Sequence, residues 1–210
     1  MHGPTAAGRP PATSHAAIEV AAFALFAQRG FDATTVDDIA EAAGVGRRTL
    51  FRYFPSKYDI PWGQFDDSLD YFHDTLTAMP GDLPLWRAVQ QAVVQFNYVD
   101  AGAIEQHRAR MRLILQTPSL QAHSVLMYER WRAVIADYVA ARSGGESTDL
   151  LPRTVGHVSL ALAISAYEQW LSRDGTPLDE LLEQALRTLQ QYVTDPGTLR
   201  PRRRSSRATT

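Results

Sequence analysis

The stretch Thr35-Val36-Asp37-Asp38-Ile39-Ala40-Glu41-Ala42-Ala43-Gly44-Val45-Gly46-Arg47-Arg48-Thr49-Leu50-Phe51-Arg52-Tyr53-Phe54 reads as two short helices joined by a glycine turn. Thr35 with Asp38 three residues on has the spacing of a capping box in its acidic form. Val36, Ile39, Ala40 and Ala43 recur at helical spacing on one face. Gly44 suits the left-handed position that stops a helix, since it has no Cβ to clash. Val45 is the apolar plug between the helices. In the second helix Leu50 and Phe54, four apart, turn to the core and leave Arg47, Arg48, Thr49 and Arg52 facing outward. Two helices, a tight turn and an outward row of forked donors predict a helix-turn-helix, whose second helix enters the major groove of duplex DNA.

Upstream, Ser14 is a plausible N-cap for a helix to about Arg29, with Ile18, Ala22, Leu25 and Phe26 as its buried face and Gly30 as its end. Downstream, Pro55 biases Phe54 out of helical geometry. Ser56 and Asp59 form a second acidic capping box, yet Pro61 lies five residues beyond that cap. Either the fourth helix begins late, with Pro61 at its first position, or its first turn is kinked and loosened by Gly63. The preference of proline for a first helical position favours the late start. The sharper alternative is a joint coupling ligand state to head orientation.

The run from Phe31 to Lys57 closely resembles the N-terminal signature of TetR-family transcriptional regulators, and the similarity is dense from about Ala16 to Lys57. The continuation F-P-S-K-Y-D-I-P-W-G-Q-F-D-D resembles the branch of those regulators found beside mycofactocin biosynthesis clusters. The resemblance implies an all-α chain of about nine helices. It would comprise a helix-turn-helix domain at 14–57, a helical effector-binding and dimerisation domain at 58–195, and terminal segments at 1–13 and 196–210 that composition marks as disordered.

Periodicity beyond Asp66 agrees with such a body. Phe65, Leu69, Phe72 and Leu76 form one stripe, M-P-G-D-L-P is a turn, and helices follow at 85–98, 104–115 and 118–142. Residues 152–171 are apolar round most of a helix, so they must be buried on two sides. Leucines 178, 181, 182, 186 and 189 give the last helix a seam. By apolar coverage alone these two helices either fill one chain's core or pair with a second copy. The resemblance implies a homodimer, with Val158, Leu162, Tyr167, Trp170, Leu178, Leu182, Leu186 and Leu189 at the interface. Two heads would then read half-sites about one helical turn, ~34 Å, apart or a little more.

Arg47, Arg48 and Arg52 are candidates for base edges, because a guanidinium fork matches the two acceptors of guanine. One or two of the three are expected to bind phosphate instead. The resemblance adds Thr49 near the groove floor and Thr34, Thr35, Tyr53 and Lys57 as backbone anchors. Thr35 can equally serve as a plain cap. Phe51 stands where the family more usually has tyrosine, so a hydroxyl contact to phosphate from that position is lost.

The resemblance also implies an inducer pocket in the body, and its mycofactocin-linked branch suggests a long acyl-CoA as effector. Phe65, Phe72, Trp86, Met111, Leu115, Trp131 and Tyr167 are the candidate apolar lining, although ordinary core is the simpler account of each. Arg108 and Arg112, on one helix face beside Met111 and Leu115, are the best-placed cations for its phosphates, unless that face is simply solvated.

The 210 residues, 45% hydrophobic and 21% charged, have the composition of a globular chain with a real core. The absence of cysteine excludes disulfides, zinc-thiolate sites and thiol catalysis. The net charge of −2 conceals an asymmetry: residues 1–195 carry 16 basic against 23 acidic groups, a balance of −7, while the tail 196–210 holds the basic run R-P-R-R-R-S-S-R and no acid. That tail is either merely solvated or adds salt-sensitive attraction to DNA. A mildly acidic body argues against indiscriminate coating of nucleic acid. The six histidines show no metal-ligand spacing, and there is no P-loop, GxGxxG or nucleophile elbow, so neither enzyme nor cofactor is expected. No apolar run approaches the ~18 residues of a membrane span, and the start lacks a signal-peptide core, so a cytoplasmic location is expected. The competing reading is a helical small-molecule carrier without regulatory DNA binding, which leaves the row Arg47–Arg52 unexplained.

Overall fold

The computed structural model describes residues 14–173 and 175–194. The terminal segments expected to be disordered, including the basic tail, lie outside them. Among the described residues there are nine α-helices and two short 3-10 helices and no strand: α1 (His15–Arg29), α2 (Val36–Ala42), α3 (Arg47–Tyr53), a 3-10 helix (Lys57–Trp62), α4 (Phe65–Thr77), α5 (Leu85–Phe96), a 3-10 turn (Ala101–Ala103), α6 (Ile104–Gln116), α7 (Pro118–Ser143), α8 (Leu150–Ser172) and α9 (Leu178–Thr194). None of the helices is long and apolar enough to cross a membrane.

The chain divides into two compact units, and the boundaries fall within α4, after the first residue of α6, and within α7. Unit 1 holds residues 14–67 together with 105–126. A second domain drawn at 58–195 from the sequence therefore does not coincide with unit 2, because residues 58–67 and 105–126 pack with the head.

In unit 1, Ser14 accepts the Ala17 N–H at 3.2 Å and opens α1, as its N-cap position predicts. The core joins Ile18, Ala22, Leu25 and Phe26 of α1 to Phe31, Ile39, Ala40, Leu50, Phe54, Ile60 and Leu120. Each of the leucine, isoleucine and phenylalanine side chains contributes about 1.5–3 kcal/mol by leaving water, and each alanine less. Val45 packs partly buried against this cluster, as a plug between α2 and α3 should. The turn before it depends on Gly44, whose φ of +65° only glycine adopts freely. The Gly44 and Val45 N–H groups donate back to the Glu41 and Ala40 carbonyls at 3.0 and 2.9 Å, closing α2 in a Schellman motif.

Pro61 corrects the sequence reading. It stands inside the 3-10 helix Lys57–Trp62, not at the first position of α4. The short helix has no continuous i→i−4 ladder for the ring to interrupt. Gly63 ends it at φ +60°, and α4 begins separately at Phe65.

Unit 2 holds residues 68–104 and 127–194. Phe72 stacks on Trp131 at 5.2 Å, with Phe96 against both. α8 packs along α9, and α5 lies against both. Arg142, in the last turn of α7, donates to the Gly81 and Leu83 carbonyls at 2.9 Å and so pins the predicted M-P-G-D-L-P turn. α8 approaches the α7 backbone at Gly156, where a Cβ would stand 2.9 Å from the Arg132 carbonyl oxygen.

Candidate nucleic-acid interface

The recognition helix is placed by both helices before it. The capping box at the start of α2 is complete: Asp38 accepts the Thr35 N–H at 2.8 Å, and the Thr35 hydroxyl accepts the Asp38 N–H at 3.1 Å. The Thr35 hydroxyl also donates to the Asp38 carboxylate at 2.7 Å. These bonds from Thr35, with Arg29 nearby, hold the Asp38 carboxyl below its ordinary range. α3 then turns Leu50 fully inward.

Arg48 and Arg52, four apart, are exposed on its outer line, and with Thr49 and Phe51 they border an open depression. Arg47 is engaged differently. Its guanidinium donates to both Asp37 oxygens, at 3.2 and 3.1 Å, and lies 5.5 Å over the Phe51 ring. Of the three candidate base readers, Arg48 and Arg52 thus lead, and Arg47 is already paired with a carboxylate of α2. Arg52 also lies 5.5 Å over the ring of Tyr53, whose own ring meets His15 edge-on at 4.8 Å.

Two expected backbone anchors have other work. Thr34 is fully buried, and its hydroxyl donates inward to the Gly30 carbonyl at 2.8 Å, so it cannot reach a phosphate. The Lys57 ammonium donates to the Phe31 and Thr34 carbonyls, both at 2.9 Å, and sits 4.3 Å over the Phe31 ring. Partial burial lowers its pKa, with Asp32 opposing the shift. Lys57 ties down the turn before α2. The sequence reading also gave Asp37 no role, because the capping box was read from Thr35 and Asp38 alone.

The side chains expected at an effector pocket divide between the two units. Phe65, Arg108, Met111, Arg112 and Leu115 belong to unit 1, whereas Phe72, Trp86, Trp131 and Tyr167 belong to unit 2. Phe72, Trp131 and Tyr167 are buried core, and the Tyr167 hydroxyl donates to Asn97 Oδ1 at 2.8 Å. What unit 2 does contain is a largely apolar groove of about 190 Å³ between α5, α8 and α9, with Trp86, Val93, Val155, Val158, Leu162 and Leu186 in its walls. Trp86 alone of the nine expected residues lines it.

The expected dimer face is corrected in the same way. Tyr167, Trp170, Leu178 and Leu182 are buried within the single chain, where α8 and α9 meet. Val158 remains 38% exposed, and Leu162, Leu186 and Leu189 are half-buried.

A glycine-turned pair of helices, presenting arginines from the second, defines a helix-turn-helix DNA-binding protein. The sequence family described as "Bacterial regulatory proteins, tetR family" matches residues 18–60, and that described as "MftR C-terminal domain" matches residues 83–194. The chain is 47% identical over 175 residues to a Mycobacterium tuberculosis protein assigned as the mycofactocin biosynthesis transcriptional regulator MftR, covering 83% of this chain and 88% of that one. It is 34% identical to the HTH-type transcriptional regulator TcmR of Streptomyces glaucescens, covering 80% and 79%. Among solved structures, the fatty acid degradation regulator FadR of Bacillus halodurans aligns with a TM-score of 0.59 at 19% identity, over 89% of this chain and all of that one. Thermus thermophilus FadR, a TetR-family repressor in complex with lauroyl-CoA, aligns with a TM-score of 0.54 at 22% identity, over 94% and 100%. The chain belongs to the TetR family of bacterial transcriptional regulators, with a C-terminal domain of the MftR type.

Proposed function

We propose that this DNA-binding regulator works as a homodimeric repressor, released from its operator by a small hydrophobic effector of the long-chain acyl-CoA class, and that mycofactocin-related genes are among its targets. The observation that carries the effector reading is the apolar groove between α5, α8 and α9, with Trp86 at 45% exposure in its wall. A large indole left that open to water favours an apolar occupant. The lauroyl-CoA complex of the Thermus thermophilus repressor supports the chemical class. The 47%-identical relative supports the gene context.

Dimerisation is supported by apolar residues left in water on α8 and α9: Leu150, Leu151, Val158, Tyr192 and Val193. A second copy set on these helices would bury them. Val158, Leu162 and Leu186 belong to both the groove and the expected dimer face. A charge at Val158 should therefore disturb self-association and effector response together.

The test is selection of genomic fragments retained by the full-length protein, repeated with lauroyl-CoA, oleoyl-CoA and free CoA. Release by the acyl-CoAs but not by CoA supports the reading, and unchanged retention with all three removes the effector. A monomer by sedimentation at micromolar concentration removes the dimer. A carrier without regulatory DNA binding would retain no fragment over bulk competitor, and Arg48 and Arg52 speak against it.

A further inference from the structure

The outward face of α3 is built from cations, except along one flank. With about 100° between successive residues, Arg48 and Arg52 share the outermost line, Thr49 falls to one side and Phe51 to the other. Phe51 is 39% exposed, whereas its neighbour Leu50 is fully buried. The cation nearest the ring, Arg47, is matched by the Asp37 carboxylate through both of its oxygens. The flank around Phe51 therefore presents a partly exposed ring, with the Arg47 guanidinium of a neutral ion pair over it. Next to it, Arg48 and Arg52 present full charges, and all three side chains border the same depression.

A ring without a hydroxyl gives a phosphate oxygen no donor, and it offers nothing to the polar edges of guanine, adenine or cytosine. The major-groove feature that suits it is the 5-methyl group of thymine. We infer that Phe51 is a sequence-reading residue that packs on a thymine 5-methyl group, and that Asp37 positions it by holding Arg47 in a neutral pair on the same flank. This rests on α3 being the helix that enters the groove.

The experiment uses the full-length chain and a retained fragment in which each thymine is replaced in turn by deoxyuridine, which removes only the methyl. Losing one apolar methyl contact should weaken binding about fourfold at the thymine that meets the ring. Phe51→Ala should bind the parent fragment more weakly and lose its sensitivity at that position. Phe51→Leu, which keeps an apolar body, should retain part of it. An exposed residue leaves the fold intact on substitution, and an unchanged melting temperature verifies this. If no thymine is sensitive, or if Phe51→Ala keeps the sensitivity of the unaltered chain, the inference is overturned. Failure of the unaltered chain to retain any fragment would instead overturn the groove-inserted reading on which it rests.

Discussion

Arg110 of α6 and Glu19 of α1, 91 residues apart in the chain, form an ion pair in the interior of unit 1. Their side chains are only 19% and 12% exposed. Arg110 also donates to the Pro61 carbonyl at 2.7 Å and lies 5.0 Å over the Phe23 ring. Gly63 lies against the pair, where a Cβ would come within 3.1 Å of Arg110 Nη1 and Glu19 Oε1. One guanidinium thus fastens α6 to α1 and to the 3-10 helix that follows the recognition helix.

Removing one partner leaves an uncompensated buried charge, which costs about 3–5 kcal/mol. Arg110→Ala should therefore destabilise the chain by that order in urea unfolding. Glu19→Gln, which retains an acceptor for Arg110, should cost less. Equal, small losses in both variants would mean that the pair is solvated.

His107, on the same helix, is held neutral down to about pH 4, first by burial and second by Arg110. Between that value and its ordinary 6.5 the unfolded chain takes up a proton that the folded chain refuses, so stability falls as the medium is acidified through this window. The loss between about pH 7 and about pH 5 should be about 2 kcal/mol. His107→Gln should remove that part of the pH dependence, and unfolding midpoints of the two proteins at both pH values would check it.

Lys57→Met should lower stability by about 2–3 kcal/mol, because two carbonyls lose a charged donor. The slope of log affinity for DNA against log salt should stay unchanged, since the ammonium is engaged at the turn. A slope shallower by about one would return Lys57 to the phosphate-binding role that the resemblance implied.

Asp37→Asn should release Arg47. The freed guanidinium would then find a phosphate, strengthening binding to all sequences and steepening the salt slope by about one. Arg48→Ala should instead cost about 1–3 kcal/mol at its cognate base pair and relax specificity there. A filter-binding titration at several salt concentrations separates the two behaviours.

Gly156→Ala should cost about 1–3 kcal/mol, because the new methyl meets the Arg132 backbone and not a movable side-chain tip. Thermal melting is the readout. An unchanged midpoint would mean that α7 and α8 can part by a few tenths of an ångström without loss.

Local chemistry was legible in the sequence. Ser14, Thr35 with Asp38, and Gly44 each act through neighbours within a few residues, and each does what its spacing predicts. Helix periods located α5 to α9 closely for the same reason. What stayed hidden depends on distant partners. Nothing near Arg110 in the chain points to Glu19, and nothing near Lys57 points to the carbonyls of Phe31 and Thr34. Tyr167, Trp170, Leu178 and Leu182 looked like an interface because a periodic seam does not reveal whether its cover comes from the same chain. Pro61 was misplaced because a 3-10 turn leaves no distinct apolar period over six residues.

Leu120, at the start of α7, is fully buried in the same cluster as Leu50 and Phe54. The DNA-reading end of this molecule is consequently not a cassette that can be cut out after the lysine and grafted onto another body. Excision there would strip away a hydrophobic plug and strand the Glu19 carboxylate. A chimera that keeps the head intact must carry residues 105–126 along with it, although some forty residues of the other unit intervene in the gene.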